Sequence, residues 1–241
     1  MNIPDRIRRL VYYRQHPETA IRYYPIVKLL KKLRLDKSQI LEVGSGSYGI
    51  SPYLRKNITG VDMSFDEPEY SRLKQVIGSA DMLPFKNNQF AVVILSDVLE
   101  HLPKKIREQS INEAIRVARK VVLISGPFGV EAARQDKKLA DYSIKKTGQM
   151  HSFFKDHIEL GLPEVEDIKK IISKNKKVKK MEIIGEYFNL GVRERLMKRY
   201  ITKSKLGYYF YMKGLMPIVP ILRLFNRKPG YRRLILIQTQ L

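Results

Sequence analysis

Five short runs of apolar and β-branched residues follow one another through the first half of the chain. Most of them lack the alternation of polar and apolar residues that marks a strand with one face in water, so we expect strands covered on both faces. Helical patterns separate several of these runs, and such alternation is typical of a doubly wound α/β sheet. The predicted strands are Gln39–Val43, Ile58–Asp62, Gln75–Ala80, Phe90–Ser96 and Lys120–Ser125.

The rest of the chain is less regular. Residues 23–35 have apolar side chains at helical spacing and predict an amphipathic helix, whereas residues 129–150 look loop-like, or helical without a clear apolar face. Two further strands are predicted at Val178–Phe188 and Arg232–Gln240, with a basic, aromatic stretch of about forty residues between them, too long for a simple connection. We expect four parts: a basic N-terminal helical arm (1–36), a core (37–188), a basic aromatic insertion (189–231) and a final core strand (232–241).

Charge is distributed unevenly along the sequence. The chain has 46 Lys and Arg residues against 24 Asp and Glu, a formal net charge of +22. Residues 1–35 contain nine basic and two acidic residues, residues 168–241 contain nineteen and three, and the centre contains 18 and 19. A neutral centre between cationic flanks excludes a uniformly basic, histone-like protein and favours an enzyme core whose flanks meet an anionic surface.

Some classes of site and location are excluded by composition. The chain has no cysteine, which rules out disulfides, Cys-based metal sites and a thiolate nucleophile. The N-terminal residues are rich in arginine and lack the apolar core of a secretory signal. The longest apolar stretch, residues 206–224, is interrupted by Lys213, Pro217 and Pro220 and does not predict a membrane-spanning helix. We expect a cytoplasmic protein, with attachment to the inner membrane face as an option.

A glycine-rich turn follows the first predicted strand. The strand ends in Glu42-Val43-Gly44-Ser45-Gly46-Ser47-Tyr48-Gly49, and the second strand ends in Asp62. Glycines let the backbone approach a ligand closely at a strand-to-helix turn, and an acid at the next strand end accepts ribose hydroxyls. Binding of NAD is the competing interpretation. An acidic residue two positions before the first glycine, and the lack of a second domain for substrate, favour a different nucleoside ligand.

Four motifs carry a family resemblance. In order and spacing, ILEVGSGSYG, ITGVDMS, GSADMLPF and FAVVILSDVLEHL resemble the class I S-adenosylmethionine-dependent methyltransferases, with most similarity to the methyltransferase type 11 domain. The resemblance covers residues 36–126. It implies an α/β fold with a Rossmann-like, doubly wound, mostly parallel sheet, a terminal antiparallel strand and, here, an α-helical C-terminal insertion. It also implies S-adenosylmethionine as the methyl donor, with no metal needed for the transfer itself.

The resemblance assigns roles to residues of the motifs. Glu42 would meet the donor's ammonium group, Asp62 would take both ribose hydroxyls, and Met63 would pack on the adenine. The remaining implied donor contacts are the methionine-lining Gly44, Ser45 and Gly46, the adenine-edge residues Ala80 and Asp81, and Ser96 at the pocket floor. The chain departs from the family at Ser79, where an acid is usual, and at Tyr48, where a glycine is usual.

Candidates for proton transfer follow the fourth strand. Asp97, Glu100 and His101 lie at the edge where ligands gather in open α/β sheets. His101 is a candidate general base, and the set also resembles the E-x-x-E-H metal ligands of some O-methyltransferases. In the structural alternative, Asp97 caps a helix and His101 packs against the sheet. His151 and His157 flank Phe153 and Phe154 in a predicted lid and are further candidate bases.

The basic insertion leaves the acceptor open. Arginines and lysines beside tyrosine, phenylalanine and leucine are typical of an element lying on anionic lipid, and also of one that stacks and neutralises single-stranded RNA. A cap over the substrate is the third option. We expect O-methylation of a lipid-linked, polyisoprenoid-like or glycan acceptor near a membrane; an RNA ribose methyltransferase and a non-catalytic adaptor with the same fold are the alternatives.

Overall fold

A computed structural model describes residues 13, 14, 16–66, 70–202 and 229–240. Its centre is a seven-stranded sheet in the order β3-β2-β1-β4-β5-β7-β6. Strands β1 to β5 pair in parallel, whereas β7 is antiparallel to both of its neighbours, β5 and β6. The strands are β1 (Ile40–Val43), β2 (Ile58–Asp62), β3 (Leu73–Ile77), β4 (Phe90–Ser96), β5 (Ala118–Pro127), β6 (Val178–Asn189) and β7 (Gly230–Thr239).

Helices cover the sheet and one of its edges. A 3-10 turn, Leu99–His101, follows β4 directly. The α-helices that we number here are α1 (Pro17–Lys32), α2 (Ser51–Leu54), α3 (Lys104–Val117), α4 (Gly129–Thr147), α5 (Phe153–Glu159), α6 (Val165–Ser173) and α7 (Leu190–Ile201).

The two faces of the sheet build two separate cores. On β1, Leu41 and Val43 pack with residues of α3 and α6, whereas Ile40 packs with α1 on the other face. The same alternation holds along β4, β5 and β7, because successive side chains of a strand point to opposite faces. Glu42 therefore points toward the face that α1 covers. Because both faces of these strands are covered, the strands contain almost no polar residues.

Three helices form what we call the cap, made of α4, α5 and α7. Helix α4 follows the carboxyl end of β5, and α7 follows that of β6, so both begin at the same edge of the sheet. The helices share a small apolar cluster of their own, Leu139, Ala140, Phe154, Met197 and Ile201. Since α5 packs against the 3-10 turn, the cap lies over the end of β4. In open parallel sheets, ligands bind at this edge.

The predicted fold class is confirmed. The doubly wound, mostly parallel sheet, its antiparallel last strand and an α-helix within the C-terminal insertion are all present. The four-part division of the chain stays a prediction, although β6 ends at Asn189 and β7 begins at Gly230, each within two residues of the proposed boundaries.

Two local predictions differ from the structure. The third strand is Leu73–Ile77 and not Gln75–Ala80, because Gly78 donates its N–H to the Asp62 carbonyl and the chain then turns, with Ser79 bridging to Met82. Residues 129–147 form a long helix with a regular buried face. That face was hard to recognise in the sequence because half of it is polar: Ala132, Gln135, Asp136, Leu139, Ala140 and Ser143.

The beginning of the basic insertion belongs to the cap. Helix α7 buries Met197 and Ile201 against α4 and α5, so its apolar face is already used within the protein. Residues 203–228, which contain the aromatic and apolar part of the insertion, lie outside the described residues. Among the helices that the structure describes, none combines the length and the hydropathy that spanning a membrane demands.

Candidate functional site

The turn after β1 wraps closely around the end of β2. Gly44 donates its N–H to the Val61 carbonyl at 2.8 Å, and Ser45 is buried with its hydroxyl on the Gly46 carbonyl at 2.9 Å. Gly46 has a φ of +54°, and within the described residues no atom lies within 4 Å of the place a Cβ would take. A positive φ favours glycine. The backbone of Gly46 thus faces open space in which a ligand has room.

Asp62 closes the other side of this turn. Its Oδ2 atom accepts the Gly46 N–H at 2.8 Å, and Oδ1 accepts the Met63 N–H at 2.8 Å. These bonds fix the carboxylate at the tip of β2, and each oxygen keeps a lone pair for another donor. The side chain is therefore oriented to receive a pair of hydroxyl groups.

Large apolar side chains beside Asp62 are exposed to water. Met63 is 76 % exposed, Ile77 75 % and Met82 77 %. Met63 follows β2, Ile77 is the last residue of β3, and Met82 lies in the turn after β3. Ala80 and Asp81 lie in the same turn, and the Asp81 carboxylate accepts a hydrogen bond from the Ser79 hydroxyl. We call this group the apolar rim (Met63, Ile77 and Met82). Exposed apolar side chains grouped around a polar tip mark a place where a flat, partly apolar ligand binds.

Glu42 is fully buried beneath the N-terminal arm. Its Oε2 atom accepts the Ile50 N–H at 2.6 Å, whereas Oε1 has no hydrogen-bond partner within the described part of the chain. Gly49 lies so close that a Cβ there would stand 2.3 Å from Oε2. Burial raises the pKa of Glu42 to about 7. A half-satisfied buried carboxyl group is typical of a binding position.

The N-terminal arm packs on the turn after β1 (residues 44–49), which we call the donor turn. The Tyr13 hydroxyl donates to the Gly49 carbonyl at 3.0 Å, and its ring stands 5.1 Å from that of Tyr48. Tyr23 is fully buried in the core on the α1 face. Tyr23 therefore packs in the core, whereas Tyr13 covers the turn. Tyr12 lies outside the described residues.

Asp97 forms a buried ion cluster at the end of β4. It pairs with Arg22 of α1 and with Arg232 of β7, while Ser96 before it is fully buried. Burial alone would raise the pKa of Asp97, but the two guanidinium groups hold it below its usual value. The 3-10 turn has no side-chain cap. The expected capping role of Asp97 is therefore wrong, and the carboxylate instead joins the arm to the last strand.

Glu100 is the second buried carboxyl group after β4. It is 2 % exposed. Burial, and then the nearby charge of Asp97, raise the pKa of Glu100 to about 8. The two neighbouring carboxyl groups thus differ in character: Asp97 is ionised between two arginines, and Glu100 holds its proton at neutral pH. Such a pair is common at functional sites.

Two of the predicted histidines meet beneath the cap. The rings of His101 and His157 lie 5.6 Å apart. His101 is half exposed, so it does not pack against the sheet as the structural alternative required; His157 is buried. His151 lies elsewhere: its ring packs against Tyr200 and Phe154, and its Nδ1 atom accepts the Phe153 N–H at 3.3 Å.

A buried polar network in the cap holds His157. Asp136 accepts hydrogen bonds from His157, from the Tyr231 hydroxyl and from Arg193, each at 2.7 Å. The Arg193 guanidinium lies 3.4 Å from the centre of the Tyr231 ring and also donates to Gln135 at 2.7 Å. Sequence reasoning missed Asp136, Gln135 and Tyr231. For Gln135 and Asp136 the available signal was their place on α4, where they share one helical face with Ala132, Leu139 and Ala140.

Part of the chain matches a known family. Residues 41–124 match the family model described as a methyltransferase domain. Over this segment, which is less than half of its length, the chain is similar to methyltransferase domains. The matched segment runs from β1 to β5 and includes the donor turn, Asp62 and the residues after β4. No curated protein matches the sequence significantly.

Solved structures share the fold at low sequence identity. A possible histamine N-methyltransferase from Thermotoga maritima is 14 % identical, with a TM-score of 0.53 over 98 % of this chain and 95 % of that one. A magnesium protoporphyrin IX methyltransferase from Synechocystis PCC 6803, solved with bound SAH, is 14 % identical, with a TM-score of 0.53 over 98 % and 94 %. The MccD protein is 16 % identical, with a TM-score of 0.52 over 90 % and 96 %. These likenesses extend the shared fold beyond residue 124.

The described residues fit S-adenosylmethionine. The exposed apolar rim and the open lone pairs of Asp62 suit an adenosine, and open space before Gly46 leaves room for the adjoining chain. The unpartnered Oε1 of Glu42 suits the ammonium end of the donor. The residues around the ends of β1, β2 and β3 therefore offer a group that suits each part of this donor.

Proposed function

We propose that the chain transfers a methyl group from S-adenosylmethionine to a hydroxyl oxygen of an acceptor held beneath the cap. The observation that carries this proposal is the meeting of His101 and His157 beside Glu100, just after β4 and at the same edge of the sheet as the turn after β1. When bound, the donor supplies a methyl group on a sulfonium, a good leaving group. The protein's own contribution is to hold donor and acceptor in line and to exclude water.

The donor half is built by the residues of the family motifs. We assign the ribose hydroxyls to Asp62, the adenine face to Met63, and its polar edge to Ala80 and Asp81. The ammonium group goes to Glu42. The methionine portion goes to Gly44, Ser45 and Gly46, of which Gly46 faces open space, and the pocket floor goes to the buried Ser96.

The acceptor half is built by the 3-10 turn and α5. We assign the acceptor hydroxyl to His101 and His157, because their rings lie 5.6 Å apart just after β4, at the sheet edge where ligands bind in open α/β sheets. The carbon–sulfur bond breaks as the new carbon–oxygen bond forms, and the hydroxyl proton is released to solvent. His151 remains a candidate base only as part of the predicted lid, since its ring packs against Tyr200 and Phe154.

Two features support a lipid-linked, polyisoprenoid-like or glycan acceptor at the inner face of a membrane. The cap and the loop within it expose five large apolar side chains: Val130, Ile144, Met150, Phe153 and Ile158. Arg195 and Arg199 are exposed on α7, which leads into the basic aromatic residues 203–228. Cations beside apolar side chains suit an anionic lipid surface.

A labelled-methyl transfer assay tests the proposal. Purified protein is incubated with methyl-labelled donor and fractionated cell extract, and Asp62→Ala protein serves as the background. We expect label in the lipid or glycan fraction, stable to base as an ether is. Label confined to RNA would contradict the lipid or glycan acceptor and assign a ribose hydroxyl instead. Donor binding without transfer to any fraction would favour the non-catalytic adaptor.

A further inference from the structure

Three side chains with metal-ligating atoms meet beneath the cap. Glu100, His101 and His157 each offer one such atom, and the three atoms lie within 4.8 Å of one another. Two imidazoles and a carboxylate form a donor set that suits divalent first-row transition ions. Ligand atoms around such an ion stand about 3 to 4 Å apart, so small side-chain rotations would close the set. Three protein ligands also leave coordination positions open for a substrate.

Both histidines are held by carboxylates through the same ring atom. His101 Nδ1 lies 2.8 Å from an oxygen of Asp156, and His157 Nδ1 lies 2.7 Å from an oxygen of Asp136. A carboxylate at Nδ1 keeps the proton there and leaves the lone pair on Nε2 free to bind an ion. The two supporting carboxylates come from different helices, α5 and α4. This arrangement is the usual second layer around metal-binding imidazoles.

The Nε2 atom of His157 needs a partner. It is buried, the whole side chain is 1 % exposed, and no atom of the described residues forms a hydrogen bond with it. Since Asp136 also bonds Tyr231 and Arg193, the carboxylate that orients the ring is itself fixed. An unpartnered buried nitrogen costs free energy, and it requires an explanation such as an ion.

Asp97 does not belong to this set. The resemblance to E-x-x-E-H ligands placed it first among the candidates, but its oxygens pair with Arg22 and Arg232. His157, 56 positions after His101 in the sequence, takes the third place instead. The structure therefore replaces one ligand of the sequence pattern by a residue of the cap.

We propose that Glu100, His101 and His157 bind one divalent transition-metal ion, with Zn²⁺ as the first choice. The ion's role rests on the proposed function: it would polarise the acceptor hydroxyl, so that the proton leaves to solvent more readily during transfer. Binding of the ion itself does not require methyl transfer: it needs the three side chains, their carboxylate supports and the release of the Glu100 proton to solvent.

A metal titration tests the site. Untagged full-length protein is stripped with a chelator and desalted; Co²⁺ binding is followed by visible absorption and Zn²⁺ binding by calorimetry. We expect one ion per chain with micromolar or tighter affinity. His101→Ala changes a half-exposed ligand and should weaken binding at least 100-fold, and Asp156→Asn, which changes an exposed supporting carboxylate, about tenfold. His151→Ala is the matched control and should bind as the wild type does.

Three results would separate the possible failures. Lack of saturable Co²⁺ and Zn²⁺ binding by the wild type, or equal affinity in His101→Ala and His151→Ala, overturns the metal site. Undiminished methyl transfer by chelated protein overturns the ion's catalytic role. Failure of the same protein to bind S-adenosylmethionine overturns the proposed function instead, and the metal titration then still decides the site.

Discussion

The donor half and the acceptor half of the site are built in opposite ways. The donor turn, Asp62 and the apolar rim lie on the sheet within about forty residues of sequence, and their polar atoms face open space. The acceptor half collects its side chains from the 3-10 turn, α4, α5, α7 and β7, and the polar network around Asp136 that holds it is buried. The comparison teaches that the ligand-binding residues of the donor half can be changed with little effect on stability. In the acceptor half, the same buried residues position the ligand-binding side chains and stabilise the fold.

The largest effect is expected from breaking the buried network of the cap. Asp136→Ala leaves the guanidinium of Arg193, whose side chain is 2 % exposed, without its carboxylate partner. Removing one partner of a buried ion pair costs about 3 to 5 kcal/mol, which corresponds to a melting temperature lower by about 10 °C. Thermal unfolding followed by circular dichroism measures this.

Asp141→Ala is the control for the cap, since it changes an exposed carboxylate on the same helix. Its melting temperature should stay within about 2 °C of the wild type. Equal melting temperatures for the two variants would show that the Asp136 network does not stabilise the cap, and the contrast between the two halves would disappear.

Asp62→Ala tests the donor half and should affect binding without affecting the fold. The carboxylate would accept both ribose hydroxyls, and hydrogen bonds to a charged group contribute about 1.5 to 3 kcal/mol. We expect calorimetry to show S-adenosylmethionine binding weakened about 100-fold, at an almost unchanged melting temperature. Asp66→Ala, an exposed acid just beyond β2, should bind normally; equally weak binding by both variants would contradict the assignment.

The sequence alone indicates candidate residues for the donor half because the patterns that indicate them are local. Glycines at a turn, an acid at the next strand tip and apolar strands of period two are all visible within short windows. The predicted positions of Glu42, Gly46 and Asp62 accordingly lie together at the ends of adjacent strands.

The acceptor half was predicted only in part because its contacts span long sequence distances. Tyr231 bonds to Asp136 across 95 residues, and Arg193 bonds to it across 57. The same buried polar residues weakened the apolar pattern of α4, so the helix and its function were hidden together. His157 was a candidate, but no pattern indicated its partner. Arg193 belongs to the basic insertion, for which an anionic surface was one expected partner, yet it is 1 % exposed.

Glu42→Gln tests the buried carboxyl group of the donor half through the pH dependence of stability. The pKa of Glu42 rises from its usual 4.5 to about 7 in the folded protein, so the folded state holds a proton that the unfolded state has lost between these values. Stability therefore falls as the pH rises through this window. The neutral glutamine avoids the loss, and we expect the variant without ligand to be more stable than the wild type by about 2 kcal/mol at pH 8.

Denaturant titrations at pH 8 and pH 4.5 measure this difference. At pH 4.5 the wild-type carboxyl group is protonated in the folded state, so the two proteins should differ much less. A difference of equal size at both pH values would mean that packing of the glutamine, and not the charge of Glu42, causes it.

The smallest effect should come from the exposed face of α7. Arg195→Gln removes one exposed cation from the helix whose neighbouring Arg193 is buried in the network. A single arginine near an anionic membrane surface contributes about 1 kcal/mol, so binding to anionic vesicles should weaken about fivefold while the melting temperature stays the same.

Lys86→Gln is the matched control: it removes one positive charge just before β4, at the opposite edge of the sheet. If flotation with phosphatidylserine vesicles weakens equally in both variants, the attraction comes from the total charge of the chain and not from the cap. If only Arg195→Gln weakens it, the cap is the face that meets the membrane, and the acceptor site opens toward the lipid.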